Sequence, residues 1–154
     1  MKSHFVTCIY DGLHGSKICG RQNRLRQYQL SLETIARTGV DITCYTSPHE
    51  LNDMKHHFNV VMNIHNIEFI PFDLCSAYFH KEVDAIRDSN DEYYRKSPDW
   101  MHRCVEVMWS KFIFIKEVIK SLPNLDYIDW IDVWISHSGI IHSRFKPFYE
   151  HNFK

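Results

Sequence analysis

No run of apolar residues in this chain approaches the ~18 that a bilayer-crossing helix needs, so an integral membrane segment is not expected. Charge of one sign is missing too. Lysine and arginine number 18 against 19 aspartate and glutamate, a formal net charge of -1, which leaves no overall field to favour nucleic acid or an anionic membrane. The cysteines, Cys8, Cys19, Cys44, Cys75 and Cys104, are odd in number and form no C-x-x-C pair. That argues against a disulfide framework and a zinc knuckle, and fits a reducing, cytoplasmic setting. There is no Walker phosphate loop, and Gly12, Gly15 and Gly20 match the dinucleotide fingerprint in neither spacing nor an immediate helix start. The first residues, MKSHFVTCIYD, read as the approach to a strand and not as a signal peptide.

What is present is a regular alternation. With 154 residues, 44% of them hydrophobic, the chain suits one domain with one core spanning 1–154. Phe5 to Tyr10 is a short β-type run that empties at Asp11-Gly12 into a polar, glycine-containing loop. From Asn23, the apolar positions Leu25, Tyr28, Leu32 and Ile35 recur at helical steps up to a closing Gly39. Asp41 to Thr46 is a second strand. Ser47-Pro48-His49-Glu50 predicts a serine-capped helix start with a capping box, continued by Leu51, Met54, Phe58 and Val61. Ile67 to Phe72 is a third strand, and Ala77 to Arg87 has helical character. The turn-rich stretch 88–99 reads as a mobile connection. The longest helix runs from about Trp100 to Ser121 on Met101, Cys104, Val105, Met108, Phe112, Ile115 and Ile119. Val107, Trp109 and Phe114 widen its apolar face, which predicts a helix packed on a sheet and touched from a second side. Tyr127 to Val133 is the fourth strand, and Ser136 to Lys154 shows no clear periodicity. Strand alternating with helix in this way predicts an α/β layer fold, a mainly parallel open sheet flanked by helices.

Two acids interrupt the fourth strand. Asp132, at its end, is expected to be buried and therefore to meet a cation, a metal or hydrogen-bond donors, or else to pair with Lys111 or Arg144 as a structural ion pair. Asp129 falls on the opposite face by alternation and reads as structural, paired with a basic residue. In parallel sheets, ligands gather outside the carboxyl ends of the strands, which would bring together Tyr10, Asp11, Asp73 and Asp132. Lys17, Arg21, Arg24 and Arg26 form a local basic cluster that could meet phosphate or simply be a solvated helix start. His137 and His142 lack a metal-binding spacing.

These residues carry a resemblance. Trp109-Ser110-Lys111 in a helix, then Pro123-Asn124-x-Asp126-Tyr127, Trp130-Ile131-Asp132 and Ser136-His137-Ser138-Gly139-Ile140-Ile141, resembles the donor-binding half of GT-A type nucleotide-sugar glycosyltransferases. The likeness is to the HtrL-like group of bacterial and viral glycosyltransferases, and it is clearest over Val107 to Phe145. It implies a GT-A-like fold and transfer of a sugar from a nucleotide-diphosphate sugar to a glycan or other acceptor. It also implies Asp132 as the leading acid of a D-x-D type motif holding Mn or Mg against the diphosphate. Lys111 would neutralise phosphate charge, and Tyr10 and Asp11 would meet base and ribose. The motif departs from the family, reading Asp132-Val133-Trp134 without the second acid. Only one short element follows it, where such enzymes continue into an acceptor half that supplies the catalytic base. The other reading is a non-catalytic α/β nucleotide-binding or interaction domain.

Overall fold

The computed structural model describes residues 2–10, 24–88, 92 and 99–133. Their order is β1 (Ser3–Ile9), α1 (Arg24–Ala36), β2 (Asp41–Thr46), α2 (Leu51–Lys55), a π-helical turn (His56–Val61), β3 (Ile67–Pro71), a 3-10 turn (Leu74–Ser76), α3 (His80–Arg87), α4 (Asp99–Ser121) and β4 (Tyr127–Trp130). All three strand pairings are parallel, and the strands lie in the order β3-β2-β1-β4. The expected open parallel sheet flanked by helices is therefore present.

Successive side chains of a strand point to opposite faces, and here both faces are apolar. Phe5 and Ile9 of β1, with Ile42 and Cys44 of β2, pack against Tyr28, Leu32 and Ile35 of α1 and against Met54 and Phe58. Val6 and Cys8, with Tyr10 and Tyr45, pack instead against Val107, Phe114 and Val118 of α4. From β1 the chain steps through β2 to β3 with helices on the first face. It then crosses back over α3 and α4, on the second face, to place β4 on the far side of β1. Gly39, at φ +84°, closes α1 as its sequence position suggested. Asn66 fastens the same corner, its Nδ2 donating to the carbonyls of Ala36 (2.8 Å) and Val40 (2.6 Å).

Three expectations are corrected. The capping box at Ser47-Glu50 does not form: the Ser47 hydroxyl accepts from the His49 amide (3.2 Å) in a turn ahead of the helix, and Glu50 accepts from Thr46 Oγ1 (3.4 Å). α2 starts only at Leu51 and widens into a π-helical turn, where one continuous α-helix was expected. β4 ends at Trp130, three residues short of the predicted end: the Ile131 amide still donates to the Val6 carbonyl (2.9 Å), and the chain then leaves β1, although β1 itself runs on to Ile9. Apart from residues 88, 92 and 99, the connection expected over 88–99 lies outside the described residues, as does the whole stretch after Val133.

Candidate functional site

In an open parallel sheet a crevice forms where successive connections leave in opposite directions, because the loops at the carboxyl ends of those two strands part there. In the order β3-β2-β1-β4 that place is between β1 and β4. A hollow of about 90 Å³ lies at this junction, lined by Cys8 of β1, Val107, Met108 and Lys111 of α4, and Trp130 and Asp132 from β4 and its end. The structure thus brings Lys111 and Asp132 to one concavity, on the α4 face of the sheet. Its volume is below the ~300 Å³ of a typical whole-ligand pocket and suits a phosphate-sized group.

Asp132 differs from expectation in one respect: it is exposed, not buried. Since β4 stops at Trp130, the carboxylate falls in the turn beyond the strand, while Val133 takes the buried place (1% exposed) in the core on the other face. Lys111 is half-buried, with its Nζ 5.2 Å from the centroid of the Phe112 ring. Asp129 sits opposite Phe5 in the register, on the face away from α4, and makes no ion pair among the described residues.

Tyr10 is not brought to the hollow. It is buried, and its hydroxyl donates to the Phe72 carbonyl (3.2 Å) on the β3 side. Burial, reinforced by neighbouring Cys8, Cys44, Glu50 and Asp73, pushes its phenol above the ordinary range, so it stays neutral. Asp73 also has a local task, its carboxylate accepting from the Cys75 amide (3.0 Å) to cap the 3-10 turn. Asp11, Lys17, Arg21, His137 and His142 lie outside the described residues.

A further polar pair went unread in the sequence. Glu106, 0% exposed on the flank of α4 that meets α3, accepts from His80 Nδ1 of α3 (2.6 Å), and His80 Nε2 lies 3.5 Å from Asp84. The signal was an acid sitting beside Val107 in the stripe that Ser110, Phe114 and Val118 continue.

A second hollow, of about 250 Å³, opens at the amino ends of the strands, lined by Lys2, His4, Asp41, His65, Asn66 and Glu68 with apolar neighbours. His4 is buried in its floor with Nε2 2.8 Å from Thr43 Oγ1. Desolvation lowers its pKa from 6.5, partly offset by Asp41 and Glu68. A depressed histidine contributes stability that is whole above 6.5 and lost as pH falls toward its folded value. Urea unfolding between pH ~7.5 and ~5.5 should therefore show stability falling on acidification, and His4→Gln should flatten that slope. An unchanged slope in the variant would assign the acid sensitivity to other groups.

No family model matches the chain, and neither a curated protein nor a solved structure matches it.

Proposed function

We propose that this chain is the donor-binding part of a glycosyltransferase, taking a nucleotide-diphosphate sugar with the diphosphate at the Lys111–Asp132 hollow. The observation that carries the reading is the meeting of an ammonium from α4 and a carboxylate from the end of β4 at the point where the strand order reverses. Lys111 neutralises phosphate charge and steadies the departing diphosphate. Asp132 offers one hard oxygen to Mg or Mn. Mg commonly takes one or two carboxylates and completes its shell with phosphate oxygens and water, so a single acid fits that role. Among the described residues no group of three ligating side chains gathers, and the other ligands in this reading come from the donor. Asp11, directly after Tyr10 in sequence, keeps the ribose role; Tyr10 does not share it, since its hydroxyl is engaged with Phe72.

Calorimetry with uridine and guanosine diphosphates, with and without Mn, tests the reading. Asp132→Asn should weaken binding by about 1–3 kcal/mol while leaving the fold intact, as its side chain is exposed. Lys111→Ala should weaken the diphosphate more than the nucleoside, and added salt should shrink the difference. A protein that ignores every nucleoside diphosphate would overturn the proposal. The non-catalytic alternative is favoured by one observation, the Asp132-Val133-Trp134 sequence that lacks a second acid. It predicts binding with no release of sugar from the donor, whereas the enzyme reading predicts at least slow donor hydrolysis.

A further inference from the structure

The hollow at the amino ends of the strands has no part in the donor reading, yet its polar groups form an ordered set. In the parallel register His4 of β1 lies opposite Asp41 of β2, and Thr43 of β2 lies opposite Glu68 of β3. Val6, Tyr45 and Ile70 pack on the α4 side of the sheet, so alternation turns His4, Asp41, Thr43 and Glu68 to that same face. α4 ends at Ser121, and Leu122 just beyond it lines the hollow, which sets the negative end of the helix dipole beside these groups.

What the set offers is acceptors. His4 is 5% exposed and lines the hollow; its Nε2 is spent on Thr43 Oγ1 (2.8 Å), while its Nδ1 has no hydrogen-bond partner among the described residues. With Nε2–H donating to the Thr43 hydroxyl, Nδ1 is an acceptor. Asn66 is fixed by the two donations from its Nδ2, to the carbonyls of Ala36 and Val40, and its Oδ1 is left without a donor among the described residues. Asp41 and Glu68 make no ion pair among the described residues, although Lys2 lines the same hollow. We propose that this hollow is a second ligand site, which takes a small aliphatic amine by its primary ammonium. An ammonium has three N–H donors and no acceptor, the complement of two carboxylates, an imidazole nitrogen and an amide oxygen. Charge agrees with this choice: the two carboxylates outnumber the Lys2 ammonium, and a bound ammonium restores the balance. A divalent metal suits the hollow less, since no three ligating side chains among the described residues gather closely enough to hold one. The volume of about 250 Å³ leaves room for the carbon chain, against Ile42, Ile67 and Leu122.

Titration of the full chain with putrescine, followed by proton–nitrogen NMR without nucleotide, tests this independently of the donor reading. Shifts should gather at Lys2, His4, Asp41, Asn66 and Glu68, with a dissociation constant below about 1 mM. Asp41→Asn and Glu68→Gln, at exposed side chains, should each raise that constant about tenfold. Asp53→Asn makes the same change of charge at an exposed acid of α2 and should leave it unchanged. Lys2→Ala removes a competing ammonium and should lower it. Tetramethylammonium, which has the charge but no N–H donor, should produce no such shifts. Circular dichroism confirms that the variants fold. The absence of shifts up to about 10 mM putrescine overturns the proposal. An equal response to tetramethylammonium, or equal weakening by Asp53→Asn, overturns it in favour of bulk charge attraction. Weaker binding in Lys2→Ala overturns it by showing that an anionic group is held, and saturation by Mg at lower concentration than by putrescine overturns it in favour of a metal.

Discussion

Phe114→Ala should remove about 3–5 kcal/mol of unfolding free energy, the range for truncating a buried aromatic to alanine. Phe114 is 1% exposed at the centre of the face where α4 meets the sheet. Its ring stacks on Tyr45 (4.0 Å between centroids, 12° between planes), meets Phe72 edge-on (4.9 Å, 81°) and lies 6.3 Å from Trp130. Truncation removes one wall from each of these contacts, and three rings cannot close over the void without moving strands. The hydrogen bond from the Tyr45 hydroxyl to the Phe114 carbonyl survives, since it uses backbone. Phe114→Leu, which keeps most of the volume, should cost clearly less. Urea denaturation of both variants measures the difference; a loss below about 1 kcal/mol for alanine would show that α4 is held to the sheet by something other than this aromatic cluster. Because Trp130 also lines the hollow, the alanine variant should bind nucleoside diphosphate less well even where it is still folded.

Much of this architecture could be read from the chain because its strands and helices announce themselves by period. β2 has its predicted bounds, and α1 closes at Gly39 as expected. The breadth of apolar surface on α4 was also legible: Val107 and Phe114 face the sheet, Trp109 meets Phe79, and Met108 and Phe112 turn outward. Parallel topology follows from the alternation, and with it the carboxyl-end placement of Lys111 and Asp132 at one hollow.

What could not be read depends on neighbours distant in sequence. Asp132 looked buried because Tyr127 to Val133 is one apolar-rich run, yet that run leaves β1 after Trp130, although β1 continues to Ile9, and the carboxylate falls in the turn beyond. Tyr10 looked available at the end of a strand, but its hydroxyl is claimed by Phe72, 62 residues away in sequence. At Ser47-Glu50 the local rule met competing donors. Glu50 bonds to Thr46, and the serine spends its hydroxyl on a turn. Histidine in an amphipathic segment such as α3 carries no mark that its partner will be a buried acid on α4.

His80→Ala should destabilise the protein by about 2–4 kcal/mol, out of proportion to a side chain about one-fifth exposed. The cost lies with the partner. Glu106 is fully buried, and losing the His80 donor at 2.6 Å removes a short hydrogen bond to its carboxylate. Glu106→Gln should be milder, because the amide oxygen still accepts from the imidazole. The joint replacement His80→Leu with Glu106→Leu should recover most of the loss, since exchanging a buried pair for apolar side chains removes the desolvation cost of both. A double-mutant cycle measured by urea unfolding would therefore give a coupling of at least about 1 kcal/mol. Additive losses from the two single leucine variants would mean that Glu106 is held by its other contacts and that α3 docks on α4 through Phe79 and Trp109 alone.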